Sequence, residues 1–355
     1  MPERKADAIL LTVVVPAYNM ESRLGKCLDS VVVPEVMDEV EVVVVNDGST
    51  DGTLELARKY ESSWPEYIRV IDKPNGNYGS CMNVALSLAR GKYFRTLDAD
   101  DWFREGCLSD FVRELRETDA DLLICEKIDY NEATGRETRV RIFPESPVRQ
   151  DLPMEDEDSA RLALRGRYKL GTMNVVYKTE VIRASGLVWP ENAFYTDTLY
   201  VLWPLSRVRS VRFIPIPLYV YVIGRDGQSV STATMRKNFE SWRTVAEAAL
   251  SEMVRLGDSR CPAYSLRQAS LFGIFSGLYH DLLINGNRHA DVIREFDSRL
   301  KALPDIYAAL DSVTVPGTKL RYIRDFRRGS HKLSLAQFLY RFKDVRLIRR
   351  LLGAG

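Results

Sequence analysis

Residues 40–53 read VEVVVVNDGSTDGT, and this stretch decides the fold. Five of its first six residues are valine, a β-branched run typical of a strand that is buried on both faces of a sheet. The polar residues that follow mark a loop, in which Asp51, with Ser49 and Thr50 close by, can cap a helix beginning near residue 52. A buried strand, a polar loop and a helix in this order predict an α/β fold with a parallel sheet.

The rest of the first hundred residues repeat this alternation. Leu24, Leu28 and Val31 share one helical face, and other short apolar runs are typical of buried strands. Strands are predicted at 9–15, 40–45, 67–71, 92–97, 122–130, 138–143, 174–178 and 211–222, and later helices at 155–165, 179–185 and 198–207. The spacing implies right-handed βαβ units. From about residue 234 the pattern is helical, so we place a domain boundary near residue 232.

Composition narrows the functional class. The 355 residues carry a formal net charge of only +1, which predicts no general attraction to nucleic acid. Five cysteines without a C-x-x-C pair indicate reduced thiols in a cytosolic protein. The apolar run near the N-terminus is short and meets Pro16, so it predicts a first strand rather than a signal peptide. No stretch approaches the roughly 18 apolar residues of a membrane span.

Four loops lie where ligands bind in an open α/β sheet, at the carboxyl ends of the predicted strands. They are P-A-Y-N (residues 16–19), N-D-G-S-T-D-G-T (46–53), K-P-N-G-N-Y-G-S (73–80) and T-L-D-A-D-D-W (96–102). Tyr18 can stack on a base, and Asp47 can accept from a ribose hydroxyl or a base N–H. The third loop opens onto a helix N-terminus, which suits an anion, and Lys73 can add charge. Each loop alone can also be an ordinary turn.

The fourth loop places three carboxylates, Asp98, Asp100 and Asp101, within four positions. Like charges this close raise each other's pKa unless a cation lies between them. One aspartate can cap the following helix, but three are more than a cap requires. Oxygen ligands without thiolate or imidazole favour Mg²⁺ or Mn²⁺, which typically binds one or two carboxylates together with substrate phosphates. We therefore expect a divalent cation and a phosphorylated substrate.

Taken together, VVVPAYN (13–19), VVNDGSTDGT (44–53) and LDADDW (97–102) resemble the family 2 glycosyltransferases of the GT-A fold, with the likeness covering about residues 10–230. The resemblance implies a Rossmann-like, mostly parallel sheet flanked by helices, with a nucleotide-binding half (8–130), an acceptor half (131–232) and a helical C-terminal region (233–355). It implies inverting sugar transfer from a nucleotide sugar, usually a uridine one, to a hydroxyl of a glycan or lipid-linked acceptor.

The resemblance also implies the site residues. The nucleotide-sugar-binding residues would be Pro16, Ala17, Tyr18, Asn19, Asp47, Lys73, Gly76, Asp98, Asp100 and Arg225, and the metal ligands Asp100 and Asp101. The catalytic base would lie about a hundred residues further on, at a helix start, where Asp197 fits. Many family members carry Glu just before this Asp, but here it is Thr196. Arg225 lies in a G-R-D-G segment that is often mobile in the family, and Gln228 and Ser229 can line the site.

The C-terminal segment is basic, with ten Lys or Arg and two Asp between residues 321 and 350. Apolar residues from Leu335 to Leu352 recur every three or four positions, which is typical of an amphipathic helix. Such a helix can bind an anionic membrane surface, so a cytoplasmic protein peripheral to the cell membrane is one expectation. Packing on its own domain or on a second subunit is the other. Two rival functions are a non-catalytic nucleotide-sugar-binding subunit and, less favoured, a phosphatase.

Overall fold

The computed structural model describes residues 9–142, 151–155, 170–224, 238–257, 261–280, 283, 290–314 and 319–329. The strands are β1 Leu11–Ala17, β2 Val40–Asp47, β3 Ile68–Lys73, β4 Tyr93–Thr96, β5 Trp102–Phe103, β6 Leu122–Asn131, β7 Arg136–Val140, β8 Leu152–Pro153, β9 Val175–Lys178 and β10 Ser210–Ile223. The helices are α1 Glu21–Asp29, α2 Thr53–Ser63, α3 Asn77–Leu88, α4 Cys107–Arg116, α5 Thr179–Ser185, α6 Asp197–Leu202, α7 Phe239–Leu256, α8 Tyr264–Tyr279, α9 Ala290–Leu300, α10 Pro304–Leu310 and α11 Tyr322–Arg327.

All ten strands join one sheet, with the order β3-β2-β1-β4-β9-β6-β10-β5, while β7 pairs with β6 and β8 with β10. The first four strands in this order, β3 to β4, are parallel, as is the long β6–β10 pair. Strand β9 runs antiparallel between β4 and β6. The predicted α/β architecture with its mostly parallel sheet is confirmed, and strands from both predicted halves of the first domain share this single sheet.

Two helical layers cover the parallel strands. Alternate valines of β1 and β2, such as Val13 and Val42, lie in one buried cluster with Leu24 and Leu28 of α1. The intervening positions, such as Val14, point to the opposite face because side chains alternate along a strand, and α3 packs against β1 and β2 there. Every residue of β2 is buried, as predicted for a strand covered on both faces of the sheet.

One charged residue interrupts this valine run. Glu41 is only 3% exposed, yet its carboxylate accepts from the Thr12 hydroxyl at 2.7 Å, from the Arg90 backbone N–H at 2.6 Å and from Arg90 Nε at 2.6 Å. A buried carboxylate is tolerated when it is paired and hydrogen-bonded. Glu41 therefore ties β1 and β2 to the turn that leads into β4.

The boundaries of several elements differ from the prediction. The helix predicted over 198–207 ends at Leu202, and a 3-10 turn, Pro204–Ser206, follows, because Pro204 has no backbone N–H to donate into a continuing α-helix. The helix predicted over 155–165 lies outside the described residues apart from Glu155, which is not helical. The boundary predicted near residue 232 and the amphipathic segment beyond residue 329 also lie outside the described residues.

The chain divides into two compact units, residues 1–226 with 260–267, and residues 227–259 with 268–355. In the second unit, Arg327 of α11 donates from Nε to Asp297 Oδ1 at 2.8 Å and from a terminal nitrogen to Asp311 at 2.8 Å, and its guanidinium lies 3.6 Å from the ring centre of Tyr307. This basic residue therefore packs within its own unit. Among the described residues, no helix is long and apolar enough to cross a membrane.

We expect Gly79→Ala to destabilise the protein, because a Cβ at this position of α3 would lie 2.1 Å from the backbone carbonyl oxygen of Pro190, which cannot rotate away. Overpacking of this kind costs about 1–3 kcal/mol of unfolding free energy, measurable by chemical denaturation. Gly25→Ala is the control. Its Cβ would meet only Tyr60 Oη at 3.9 Å, and alanine within α1 should stabilise by about 0.5–1 kcal/mol. Equal effects of the two changes would contradict the close packing at Gly79.

Candidate active site

The loops that follow β1 and β2 are held together by Asn19. This residue has a positive φ of 53°, its N–H donates to Ser49 Oγ at 3.0 Å, and its side-chain Oδ1 accepts from Thr50 N at 2.8 Å. Asparagine tolerates this left-handed conformation better than most residues. Neighbouring Tyr18 is 47% exposed. The loop is therefore fixed by Asn19 and presents the ring of Tyr18 to solvent, where it can stack on a planar ligand.

A second link joins the starts of α1 and α2. Asp51 accepts from Thr53 N at 3.0 Å and from Glu21 N at 3.2 Å, while Glu21 in turn accepts from Gly52 N at 3.0 Å. The predicted helix cap at Asp51 is confirmed. The reciprocal cap from Glu21 was not predicted, because the sequence does not show that the two helix starts are adjacent.

Asp47 lies at the end of β2 and is 3% exposed. Its Oδ1 accepts from Lys73 Nζ at 2.6 Å and from Gly76 N at 2.9 Å, and its backbone oxygen accepts from Asn75 Nδ2 at 2.9 Å. Both of these side-chain bonds reach Oδ1, and the Cys81 side chain also hydrogen-bonds this carboxylate, which helps to raise the pKa of the thiol. The carboxylate is therefore oriented by the third loop and by the start of α3.

Lys73 has all three of its ammonium donors engaged. Besides Asp47 it donates to Ser80 Oγ at 2.7 Å and to the Pro74 carbonyl at 2.7 Å. The sequence pattern predicted a contact between Lys73 and phosphate, which no observation tests. In the structure Lys73 holds Asp47 and the start of α3 in place. Gly76 is required here because a Cβ would lie 2.6 Å from Ser80 Oγ.

The carboxylate loop after β4 is tied to β10. Tyr219 Oη donates to Asp101 Oδ2 at 2.7 Å and accepts from Asp98 N at 3.1 Å, while Val222 N donates to Asp101 Oδ1 at 2.8 Å. Asp101 is 2% exposed, and a further bond within the loop joins its N–H to the Asp98 carbonyl at 2.9 Å. Both oxygens of Asp101 thus accept protein hydrogen bonds, so this residue has a structural function whether or not it also binds a metal.

Negative charge accumulates at this loop. Burial raises the pKa of Asp98 well above its usual range, and the nearby charges of Asp101, Asp100 and Asp197 raise it further. Burial likewise raises the pKa of Asp197, although hydrogen bonds from its own N–H and that of Thr198 oppose this. The predicted base and the predicted donor-binding carboxylate are therefore close enough to influence each other, although 99 positions separate them in the sequence.

Asp197 is the first residue of α6, and the segment before it has an unusual backbone. Asn192 and Tyr195 have positive φ values of 56° and 64°, which are rare for a residue as bulky as tyrosine and are typical of functional sites. Asn192 N donates to the Gly76 carbonyl at 2.7 Å, which fixes the segment to the third loop. Thr196 is fully buried, and none of the described residues forms a hydrogen bond with its Oγ1.

A pocket of about 340 Å³ lies beside the carboxylate loop. Its lining residues are Ser22, Arg23, Lys26, Asp100, Asp101, Trp102, Tyr130 and Glu132. Within it, Lys26 Nζ lies 3.1 Å from the ring centre of Trp102, and Arg23 donates to Glu132 at 2.9 Å. Asp100 is half-buried and lines this pocket. Oxygen ligands there can coordinate a hard cation.

The spacing of the carboxylate side chains decides whether they can hold a metal ion without other ligands. Within the described parts of the chain, no three His, Cys, Asp or Glu side chains are grouped to hold a metal ion by themselves. Mg²⁺ needs only one or two protein carboxylates when substrate phosphates supply other ligands. Burial is the main cause of the raised pKa of Asp98, and the charges of Asp101, Asp100 and Asp197 add to it; a cation would compensate those charges. The residues present therefore fit a divalent cation that binds together with a phosphorylated ligand.

The structure brings together most of the predicted site residues. Pro16 and Ala17 end β1 next to β2, and the four loops meet at the same end of the sheet. Arg225, Gln228 and Ser229 lie outside the described residues. The sequence did not point to Tyr78 or to Tyr219. Burial raises the pKa of Tyr78 strongly, and the charges of Asp98 and Asp197 raise it further. No motif in the surrounding sequence indicates a function for either tyrosine, because the residues near them in space are distant in the sequence.

Comparison with known proteins agrees with this geometry. Residues 12–179 match the family model described as Glycosyl transferase family 2. The chain is 23% identical over 348 residues to a poly(ribitol-phosphate) beta-glucosyltransferase of Bacillus spizizenii, covering 95% of this chain and 51% of that protein.

Two solved structures share the fold. Staphylococcus aureus TarS 1-349 in complex with UDP-GlcNAc has a TM-score of 0.61 and 21% identity, covering 94% of this chain and 92% of that one. The mannosyltransferase PcManGT of Pyrobaculum calidifontis, in complex with GDP-Man and Mn²⁺, has a TM-score of 0.50 and 18% identity, covering 97% and 85%. The fold is thus that of the GT-A glycosyltransferases. Residues 12–179 belong to glycosyltransferase family 2, and the chain is a glycosyltransferase.

Proposed function

We propose that the protein transfers a sugar, with inversion, from a uridine diphosphate sugar to a hydroxyl of a glycan or lipid-linked acceptor, using Mg²⁺ or Mn²⁺. The observation that carries this proposal is the convergence of Asp47, the carboxylate loop and Asp197 at one end of the sheet. Solved structures of the same fold contain UDP-GlcNAc in one case and GDP-Man with Mn²⁺ in another, which supports a nucleotide sugar and a cation.

In this proposal the donor lies along the four loops. The base of the nucleotide stacks on the exposed ring of Tyr18, beside Pro16, Ala17 and Asn19. Oδ2 of Asp47 accepts from the nucleotide, since Oδ1 is already occupied by Lys73 and Gly76. Asp98 binds the donor further along, and Arg225 contacts the diphosphate.

Asp197 is the proposed general base. Its carboxylate accepts the proton of the acceptor hydroxyl as that oxygen forms a bond to the anomeric carbon, while the bond from this carbon to the diphosphate oxygen breaks. Attack opposite the leaving group inverts the configuration. The raised pKa of Asp197 strengthens it as a base, because proton transfer is most efficient when the pKa approaches the working pH.

The cation would be held by Asp100, with Asp101 as the second predicted ligand, and by the donor phosphates. When bound, it would compensate the negative charge on the diphosphate leaving group. The reaction itself is tested by incubating the protein with UDP-glucose or UDP-GlcNAc and Mn²⁺ and measuring release of UDP. The absence of turnover with a panel of nucleotide sugars and acceptors, together with tight UDP binding, would favour the alternative of a non-catalytic binding subunit.

The structure gives a specific expectation for Lys73→Met. Because Lys73 orients Asp47, its loss should weaken binding of uridine and of UDP alike, by about tenfold each, as expected for a hydrogen bond to a charged group. Isothermal titration calorimetry measures both affinities. A loss confined to UDP would show instead that Lys73 contacts the diphosphate. Lys59→Met, at an exposed pair with Glu55 on α2, is the matched control and should change neither.

The proposed acceptor is based on a relative, and the proposed cellular location on the basic C-terminal segment. The relative in Bacillus spizizenii acts on poly(ribitol phosphate), so an anionic surface polymer is one acceptor class to test. Attachment of residues 321–352 to an anionic membrane surface remains a proposal, as does an oligomer. The described part of this segment, α11, packs within its own unit through Arg327. Binding of the isolated segment to anionic vesicles at low salt tests the membrane proposal, and no binding would contradict it.

A further inference from the structure

The pocket beside the carboxylate loop is lined by three parts of the first unit that are distant in the sequence. They are the start of α1 (Ser22, Arg23 and Lys26), the carboxylate loop (Asp100, Asp101 and Trp102) and the end of β6 with the turn after it (Tyr130 and Glu132). None of these residues belongs to the first three loops, 16–19, 46–53 and 73–80, where the nucleotide lies in the proposed function. The pocket is therefore a space next to the nucleotide site and separate from it.

The end of β6 reaches the same edge of the sheet as the four loops. Strand β9 is antiparallel to both β4 and β6, so β6 runs in the same direction as β4 and its carboxyl end lies at the ligand-binding edge. In the strand order, β6 lies on the opposite side of β4 from β1, β2 and β3, which lead into the nucleotide loops. The Glu132 N–H donates to the Ile223 carbonyl at 3.0 Å, which fixes the turn after β6 to the end of β10. One wall of the pocket therefore comes from the side of β4 opposite to the nucleotide loops.

The walls of the pocket combine an aromatic pair with charged groups. The rings of Trp102 and Tyr130 meet edge to face with their centres 5.3 Å apart, and Lys26 Nζ lies 3.1 Å from the centre of the Trp102 ring. Lys26 and Glu132 are exposed, whereas Asp101 is buried. Three of the lining residues are carboxylates and two are cations, so the pocket does not favour an anion. It suits a neutral ligand whose hydroxyls donate to carboxylates and whose C–H groups pack on aromatic rings, and a sugar has both.

We propose that this pocket binds a neutral sugar unit of the acceptor glycan, packed against Trp102 and Tyr130. The inference rests on the proposed function and specifies the class of its acceptor. The pocket volume, about 340 Å³, is within the range of small-molecule sites. A cation over an exposed aromatic ring is held weakly, so the sugar can displace Lys26 from the Trp102 ring.

Tyr130→Ala tests this inference, because it removes one of the two aromatic rings. The probes are the neutral trisaccharides maltotriose, cellotriose and chitotriose, with glycerol phosphate as the anionic probe. Each is titrated by calorimetry into protein that is saturated with UDP and Mn²⁺. We expect at least one trisaccharide to bind the wild type, and to bind Tyr130→Ala about tenfold more weakly because apolar contact is lost. The affinity for UDP should be the same in both proteins.

Lys26→Ala is a second variant, at an exposed position that should not disturb folding. Because this change uncovers the Trp102 ring, we expect the variant to bind the trisaccharide at least as tightly as the wild type. Tyr60→Ala is the matched control for Tyr130→Ala. It removes a half-buried ring of α2 that does not line the pocket, so it should leave the trisaccharide affinity unchanged.

Four outcomes would overturn the inference: no trisaccharide binds the wild type, Tyr130→Ala binds it equally tightly, Lys26→Ala binds it more weakly, or glycerol phosphate binds in preference to the sugars. A parallel loss of UDP and trisaccharide affinity in Tyr130→Ala would also contradict it, because such a loss indicates a structural function of this residue. In all these cases UDP binding and turnover by the wild type still test the proposed function independently. If the wild type does not bind UDP, the proposed function itself fails, whichever sugars bind.

Discussion

Asp197→Asn is expected to slow sugar transfer by about 10²–10⁴-fold, the usual contribution of a general base. The amide keeps the shape of the side chain but cannot accept the acceptor's proton. The structure places Asp197 at the start of α6, after two residues with positive φ, and burial raises its pKa. Binding of UDP should be unchanged, because the substitution keeps the shape of the side chain and the proposed base acts on the acceptor hydroxyl, which UDP lacks. Initial rates and calorimetry measure the two effects.

The pH dependence gives a second readout. Asp197 must be ionised to act as a base, so kcat/KM of the wild type should rise with pH through a pKa above the ordinary range of aspartate. The residual activity of Asp197→Asn should lack this rise. Glu191→Gln is the control, since it removes an exposed carboxylate from the same segment, and it should leave both the rate and the profile unchanged. A normal rate in Asp197→Asn would contradict the assignment of the base.

The stability of Asp197→Asn shows whether its loss of activity comes from the missing base or from unfolding. Because the folded-state pKa of Asp197 is raised, the folded protein holds a proton there more tightly than the unfolded chain does. The stability contributed by the protonated form is therefore present at low pH and is lost as the pH rises from the unfolded pKa through the raised folded value. Asparagine carries no charge, so Asp197→Asn should be at least as stable as the wild type at neutral pH.

The sequence allowed most of the strands, most of the helices between them and the four loops to be predicted, because those signals are local, whereas the two-residue strands β5 and β8 and the helix α4 were not predicted. The valine run of β2 and the helix cap at Asp51 are examples. Long-range contacts could not be predicted in this way. Asp101 is held by Tyr219 and Val222, which are 118 and 121 residues away, and no spacing within the carboxylate loop indicates such partners. The three hydrogen bonds of Lys73, to Asp47, Pro74 and Ser80, were likewise not indicated by its own loop sequence.

Asp100→Asn is expected to abolish metal-dependent activity while leaving the fold intact. Asp100 lines the pocket beside the carboxylate loop, where its oxygens can bind a cation together with the donor phosphates. In the wild type, Mn²⁺ with UDP should stabilise the protein by about 2.7 kcal/mol at a concentration one hundred times the dissociation constant. Thermal unfolding measures this stabilisation, and the variant should lose most of it.

Asp101→Asn distinguishes a structural function of the carboxylate loop from a metal-binding function. Both oxygens of Asp101 accept hydrogen bonds, from Tyr219 Oη and from Val222 N, so an amide NH₂ group would face at least one donor. An unsatisfied buried polar group costs about 1–3 kcal/mol, so this variant should lose stability without any metal present, which Asp100→Asn should not. Measured below its unfolding temperature, Asp101→Asn will lose Mn²⁺ affinity only if Asp101 is itself a ligand. Equal, mild effects of both substitutions on activity would contradict a metal site in this loop and leave its carboxylates with a structural function only.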